Sequence, residues 1–153
     1  MQLTQYTDYS YRVLIFLAQK RNGLSTVTEI AEFYGISRNH LVKVIHNLAS
    51  KGFITTMRGR HGGMTLSRAP AEINLGDVAR QTEPNFNIAE CFDAEHNHCV
   101  ITANCALKGM LFQARKAFLD TLSQYTLADV MKDMKLFDLA NLPIASTRNL
   151  KRS

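Results

Sequence analysis

The chain has 153 residues, 46% of them hydrophobic, which is enough for one domain with a proper core and an added helical arm. There is no run of 18 apolar residues and no basic-then-apolar leader, so we expect a cytoplasmic protein with no membrane span. The net charge of +5 is unevenly distributed along the chain. Residues 1–70 contribute +6 (nine Lys/Arg, three Asp/Glu) and residues 71–153 contribute −1 (nine against ten). A positive N-terminal half suits nucleic acid, although an ordinary solvated basic surface would carry the same charge.

The first two helices are predicted from periodicity and end signals. Residues 6–20 form a helix whose apolar positions face a core and which stops before Gly23. A second helix begins after Thr26, whose hydroxyl can cap the first turn, with Glu29 completing a capping box. Gly35 ends this helix in a left-handed conformation.

A third helix is predicted from the N-cap Ser37 to residue 50, because four apolar residues recur at the spacing of one buried face. They are Leu41, Val44, Ile45 and Leu48. The opposite face carries Asn39, Lys43 and His46. Two short helices joined by a tight turn, with basic and amide groups outward on the second, form a helix-turn-helix pattern.

A β-hairpin follows the third helix. Residues 53–57 and 64–66 are two short β-prone runs around a glycine-rich turn, which is the arrangement of a wing. Arg and Asn at the start of a recognition helix can read bases, whereas basic residues at a wing tip suit phosphates. The residues predicted to bind DNA are Thr28, Ser37, Arg38, Asn39, His40, Lys43, Arg58, Arg60 and His61.

The second half of the chain is predicted to hold a short helix over 75–82 capped by Asn74, an irregular stretch over 85–104, a long helix over 104–124 and a final helix from Thr126. The long helix has one apolar face, formed by Leu107, Leu111, Ala114, Phe118, Leu122 and Tyr125. The apolar surface extends beyond this face to Met110, Ala117 and Leu119. So much apolar surface indicates that the helix packs against two neighbours. We expect one of them to be the same helix of a second copy in a homodimer.

The sequence therefore divides into a winged helix-turn-helix domain (1–84), a cysteine loop (85–105), a dimerisation region with the long and the short terminal helix (104–134) and a flexible tail (135–153). The predicted fold is mainly α with one small β-hairpin.

All three cysteines, Cys91, Cys99 and Cys105, lie within fifteen residues. An odd number of thiols in a cytoplasmic protein favours a metal or redox site over disulfides. The wide spacing, without Cys-x2-Cys pairs, fits an iron–sulfur cluster better than zinc, for which His96 or His98 could be a fourth ligand. A disulfide-switched thiol sensor and three unrelated cysteines remain alternatives.

Catalytic motifs are missing from this sequence. It has no phosphate-binding glycine motif, no nucleophile elbow and no paired-histidine metal motif, so we expect no enzyme activity.

Several segments together resemble the Rrf-type bacterial regulators, and within them the nitric-oxide-sensitive repressors. The resemblance covers residues 1–134 and rests on MQLTQYTDYSYRVLIFLA, SRNHLVKVIHNLASKGFI, MRGRHGGMTLSR, INLGDVARQTEP, the three cysteines and YTLADV. It implies a homodimeric winged helix with an iron–sulfur cluster near the dimer interface. It also implies that the cluster-loaded form represses transcription and that nitric oxide relieves the repression by destroying the cluster.

The resemblance implies that Cys91, Cys99 and Cys105 hold the cluster, and that an aspartate at the position of Asp8, donated across the dimer, is the fourth ligand in some relatives. Asp8 also stands four residues before Arg12, the spacing of an ordinary helical ion pair. A histidine or solvent as fourth ligand stays open, and a 4Fe-4S cluster is favoured over 2Fe-2S.

The sequence argues against one related kind of regulator and leaves two alternatives open. Iron–sulfur biogenesis regulators carry a histidine two or three residues after the last cysteine, where this chain has Leu107 and Lys108. An iron-responsive regulator of the rhizobial type remains an alternative to the nitric oxide sensor. A zinc-stabilised DNA-binding module without a sensing role is the alternative from another class.

Overall fold

The computed structural model describes residues 2–20, 23–60 and 62–133. Its helices are α1 (Gln5–Gln19), α2 (Val27–Tyr34), α3 (Arg38–Ser50), α4 (Leu75–Thr82), α5 (Ala106–Leu122) and α6 (Leu127–Asp133). The strands β1 (Ile54–Met57) and β2 (Gly63–Leu66) pair antiparallel. Single 3-10 turns lie at Pro70–Glu72, Glu90–Phe92 and Thr102–Asn104. The predicted fold, mainly helical with one small hairpin, is confirmed. The predicted tail lies outside the described residues.

Most helix ends follow their local sequence signals. Thr26 accepts a hydrogen bond from the Glu29 amide while the Glu29 carboxylate accepts one from the Thr26 amide, which is the predicted capping box. Gly35 has φ +64°, as a left-handed end residue requires. Ser37 is the N-cap residue of α3, but its side chain makes no capping hydrogen bond, contrary to our expectation.

The core of the molecule lies among α1, α2, α3, the base of the hairpin and α4. The predicted buried face of α3 is confirmed, since Leu41, Val44, Ile45 and Leu48 are at most 6% exposed. The largest side chains that are fully enclosed come from every part of this unit and include Leu14, Ile30, Phe53 and Ile73. Burial of such side chains stabilises a fold by roughly 1.5–3 kcal/mol each.

The last described helix returns to this core rather than extending away from it. Leu127 at the start of α6 is fully buried, and its amide donates to the Ile73 carbonyl at 2.8 Å. A matching bond runs from the Leu75 amide to the Tyr125 carbonyl at 3.0 Å, and α6 packs on α1. The terminal helix thus shares the core of the N-terminal unit, and the division of the chain at 84, 105 and 134 stays a prediction.

Two glycines let the hairpin tighten and dock. A side-chain carbon at Gly62 would collide with the Met57 carbonyl, and one at Gly63 would lie 2.8 Å from the Ser25 carbonyl oxygen. Because this space is free, Ser25 and Met64 exchange two backbone hydrogen bonds of 2.9 and 2.8 Å. The wing is therefore fixed to the segment that begins α2, next to the helix-turn-helix.

Candidate functional site

The outer face of α3 is exposed and polar. We define the outer face of α3 as six exposed residues among its first nine: Arg38, Asn39, His40, Val42, Lys43 and His46. The inner face of the same helix is locked into the core, and the Tyr6 hydroxyl donates to the Lys43 carbonyl at 3.0 Å. The helix is therefore a rigid support that presents these side chains outward.

The wing places a second basic group on the surface. Arg58 and Arg60 are both exposed at the turn between β1 and β2, where Gly59 has φ +117°. His61, also predicted to bind DNA, lies outside the described residues. Thr28 is half-buried in the first turn of α2, and Ser37 is exposed at the turn before α3. The assignment of these residues to DNA contacts stays a prediction.

The cysteine segment, residues 85–105, connects α4 to α5. Cys91, Cys99 and Cys105 are all half-buried free thiols. The described hydrogen bonds of this segment join its own residues: the His98 amide donates to the Glu90 carboxylate, and the Thr102 hydroxyl donates to the Cys99 carbonyl at 2.8 Å. The thiols are thus held on one compact irregular segment, outside the apolar core.

Cys105 is the N-cap residue of α5, a helix of 17 residues that begins two residues later than predicted. Its side chain makes no capping hydrogen bond. The amides of a first helical turn and the helix dipole favour an anionic ligand or cofactor near this position.

The three cysteines do not form a ready-made metal site in the described part of the chain. Across residues 2–20, 23–60 and 62–133, no three Cys, His, Asp or Glu side chains are placed to hold a metal ion. His96 is 76% exposed, and its Nδ1 lies 3.1 Å from Asp93 Oδ2. The donor set nevertheless fits an iron–sulfur cluster, because three soft thiols are free and half-accessible on one segment.

Asp8 has the ordinary partner that the sequence predicted. Its carboxylate pairs with Arg12 at 2.8 Å. The Arg12 guanidinium lies 5.8 Å from the ring centres of both Tyr9 and Tyr34, and the Tyr34 hydroxyl donates to the Arg12 carbonyl at 3.1 Å. Burial raises the pKa of Tyr34 to about 12, with the nearby Arg12 opposing and Asp8 adding to the rise. Asp8 is thereby connected to the end of α2, just before the turn into α3.

Residues distant in sequence attach the cysteine segment to α5. The Arg115 guanidinium lies 4.8 Å from the ring centre of Phe92, which directly follows Cys91, and 5.1 Å from that of Phe112. We call this group the Phe92–Arg115–Phe112 stack. Sequence reasoning missed it because nothing in the local pattern pairs residues 92 and 115.

The long helix α5 has no buried residue in the protomer. Leu111, Phe118 and Leu122 are half-buried on the side that faces the rest of the chain. Four other apolar residues form an exposed row at spacings of three and four, which we call the apolar stripe: Leu107, Met110, Ala114 and Ala117. Leu107 is 60% and Met110 is 65% exposed.

Comparison with known proteins identifies the family. The model of the Rrf2 family, described as an iron-dependent transcriptional regulator, matches residues 3–133. The chain belongs to the Rrf2 family. Within the described residues, no helix of this Rrf2 protein is long and apolar enough to cross a membrane.

Curated Rrf2 relatives match over most of their length. The chain is 53% identical to the HTH-type transcriptional regulator NsrR of Bacillus licheniformis over 86% of this chain and 92% of that protein. It is 54% identical to the NsrR of Bacillus subtilis strain 168, over 87% and 92%. Both relatives are transcriptional regulators. The predictions of an Rrf-type DNA-binding regulator and of a chain that is not an enzyme are therefore confirmed.

The fold of this Rrf2 chain also matches solved structures. The structure of T. potens IscR superposes with a TM-score of 0.70 at 26% identity, over 87% of this chain and 88% of that one. The winged helix described above is thus an architecture that a solved structure also has.

Proposed function

We propose that this Rrf2 regulator is a homodimeric repressor that senses nitric oxide through an iron–sulfur cluster held by Cys91, Cys99 and Cys105. The observation that carries the proposal is the position of the three free, half-buried thiols on the one segment that joins α4 to the exposed helix α5. The resemblance to nitric-oxide-sensitive repressors and the relatives named NsrR support the same function.

The DNA-binding step uses α3 and the wing. Arg38 and Asn39 at the start of α3 read base edges in the major groove, while Arg60 in the wing binds the backbone or minor groove. Further contacts to phosphate or the groove wall come from six other residues: Lys43, His40, Arg58, Thr28, Ser37 and His61. A bidentate base contact is worth roughly 1–3 kcal/mol of discrimination, whereas a phosphate contact strengthens binding to every sequence alike.

The DNA surface is tested with a duplex that the wild type selects from a randomised 30-bp pool. Asn39→Ala should lose discrimination at one base pair per half-site, and Arg60→Ala should weaken all binding and lower the slope of log affinity against log salt by about 1. Lys116→Ala removes a charge on α5 and is the control for net charge. If the Asn39 and Arg60 variants bind selected and random DNA like wild type, this surface is not the interface.

The second copy of the chain covers the apolar stripe of α5. Alternate spacings of three and four place Leu107, Met110, Ala114 and Ala117 on one face, and the two alanines allow a partner helix to approach closely. A dimer also fits the helix-turn-helix geometry, in which two recognition helices bind half-sites about one helical turn apart. This helix was the predicted dimer element, and it stays our proposal.

The cysteine segment is suited to act as the switch. When bound, the cluster supplies iron that reacts with nitric oxide. In the chain, Cys91 is attached to α5 through the Phe92–Arg115–Phe112 stack, and Cys105 begins α5 itself. Metal binding contributes folding energy to a segment with so little core of its own, so release of the thiols loosens the start of the dimer helix. A small rotation there separates the two recognition helices from their half-sites.

Asp8 of the partner subunit is the proposed fourth ligand, and a 4Fe-4S cluster is favoured over 2Fe-2S. A regulator of this kind works on chromosomal DNA, so the predicted cytoplasmic location stands with the proposal. Asp8→Ala tests the ligand by the absorption spectrum of protein purified without oxygen. Because the Asp8–Arg12 ion pair is exposed and contributes about 0–1 kcal/mol, the variant should stay folded. An unchanged spectrum and unchanged cluster lifetime would remove Asp8 from the ligand set.

The switch is tested by comparing the DNA affinity of cluster-loaded, apo and nitric-oxide-treated protein at fixed salt, with Cys99→Ala alongside. We expect tight binding only for the loaded form. Equal affinity in all four samples would end the proposal, and tighter binding by the apo form would reverse its sign.

Two further outcomes decide between the alternatives. A loaded protein that ignores nitric oxide but releases DNA on iron chelation would identify an iron-responsive regulator, which the description of the Rrf2 family favours. Colourless protein containing zinc would identify a zinc-stabilised module.

A further inference from the structure

We propose that Val42 on α3 contacts the C5-methyl group of a thymine in the bound DNA and thereby determines part of the base specificity. The inference rests on the proposed function of α3 as the recognition helix and adds a residue that neither charge nor hydrogen bonding assigns to it. Sequence patterning did not single out this position.

Two valines of the same helix have opposite environments. Val44 is 1% exposed and belongs to the core, whereas Val42 is 52% exposed. Val42 lies one helical turn after Arg38 and one turn before His46, so it stands in the middle of a row on the outer face of α3. Its isopropyl group is the apolar member of an otherwise polar surface.

The fold gives no reason for an apolar, branched side chain at this position. Val42 is absent from the buried core and from the half-buried residues packed against it. β-branched residues are also less favourable in a helix than alanine or straight-chain residues. A single exposed apolar side chain is common on protein surfaces, so exposure alone means little. The position between Arg38 and His46 on the surface that faces DNA is the observation that assigns it a role.

The chemical groups exposed in the major groove indicate which base Val42 can contact. A valine side chain has no donor or acceptor, so it cannot read the polar edges of guanine, adenine or cytosine. The thymine C5-methyl is the apolar group that a base pair presents in this groove, and apolar side chains recognise it by contact. Removal of one methyl from such a contact should weaken binding about fourfold, the effect of one buried methyl-sized group.

Deoxyuridine differs from thymidine by that methyl group alone, which makes it a direct probe. The full-length protein, purified without oxygen in its cluster-loaded form, first selects a duplex from a randomised 30-bp pool, and each thymidine of that duplex is then replaced singly by deoxyuridine. We expect one replacement per half-site to weaken wild-type binding about fourfold and the others to have little effect. Val42→Ala should bind the thymidine and deoxyuridine duplexes equally well.

Lys43→Ala is the matched control on the neighbouring position. It should weaken binding to all duplexes but keep the ratio between thymidine and deoxyuridine, because a phosphate contact is blind to the methyl group. Thermal unfolding of Val42→Ala should match wild type, since the replaced side chain is not part of the core.

Two results would overturn the role of Val42 while leaving the proposed function intact: a selected duplex that tolerates every deoxyuridine, or a Val42→Ala variant with undiminished sensitivity to the methyl group. Failure to select any duplex over random DNA would instead defeat the proposed function, and the role of Val42 with it.

Discussion

The two halves of this molecule obtain their order in different ways. In the N-terminal unit, α1 to α4 enclose side chains such as Phe53 and Leu14 almost completely, and α6 closes the same core. The cysteine segment and α5 contain no buried residue, and Val100 next to Cys99 is 97% exposed. A unit with a core can fold within one protomer, whereas a region without one depends on what binds to it. The N-terminal unit thus has a core of its own, whereas the cysteine segment and α5 have none.

The sharpest difference is expected between two phenylalanines. Phe53→Ala empties a fully enclosed site and should lower the free energy of unfolding by about 3–5 kcal/mol. Phe112→Ala, at a side chain that is 50% exposed on α5, should cost about 1 kcal/mol or less, mainly through its contact with Arg115. Urea unfolding at one fixed protein concentration measures both. Similar losses for the two variants would show that α5 is part of a core.

A charged substitution in the apolar stripe should change the oligomeric state of the protein rather than the stability of its fold. Met110→Asp puts an unpaired charge into the proposed seam, and burial of such a charge is costly, so the variant should sediment as a folded monomer. Gln113→Glu adds a carboxylate beside the stripe and should remain a dimer. A Met110→Asp dimer with wild-type stability would exclude this helix face as the interface.

High pH should affect the N-terminal unit through two tyrosines. Burial raises the pKa of Tyr11 and of Tyr34 to about 12, from the ordinary value of 10.0. Both tyrosines are fully protonated below pH 10, so the unit is unaffected there. Between pH 10 and 12 the unfolded chain ionises while the folded chain does not, so stability falls as the pH rises.

Urea midpoints between pH 8 and 12 check this tyrosine prediction. Tyr34→Phe should flatten the loss, and Tyr125→Phe, at a ring that is 49% exposed, is the control. A wild type whose midpoint is constant across this range would contradict the assignment.

The smallest expected effect concerns the Phe92–Arg115–Phe112 stack. An exposed cation–π contact contributes about 0.5–1 kcal/mol, so Arg115→Gln should speed amide hydrogen exchange at residues 90–92 of the apo protein two- to fivefold. Lys108→Gln, on the same helix, should leave this exchange rate unchanged. Wild-type exchange rates in both variants would mean that the stack does not hold the cysteine segment.

Local signals in the sequence predicted the parts of the fold that depend on neighbouring residues. The sequence predicts three such features: the capping box of Thr26 and Glu29, the left-handed Gly35 and the buried face of α3. Each depends only on residues within a few positions of one another. The Ser37 cap was wrong in its detail, since a serine at this position can cap the helix only if its hydroxyl turns back toward the first turn.

Packing between residues distant in the chain could not be predicted from one sequence. The return of Leu127 to Ile73 and the stacking of Arg115 on Phe92 join residues that no periodic pattern pairs. Helical periodicity places Leu107 and Leu111 on one apolar face of α5, but only the position of the rest of the chain shows that Leu111 is half-buried and Leu107 exposed. For the same reason, Val42 and Val44 could be distinguished only by their burial.

The burial of Leu127 also sets an order of events during synthesis. The ribosome releases the chain from its N-terminus, so α3 and the wing emerge long before the residue that completes their core. All three cysteines leave the ribosome before Leu127 does. The three thiols therefore emerge before the core that includes Leu127 can be completed.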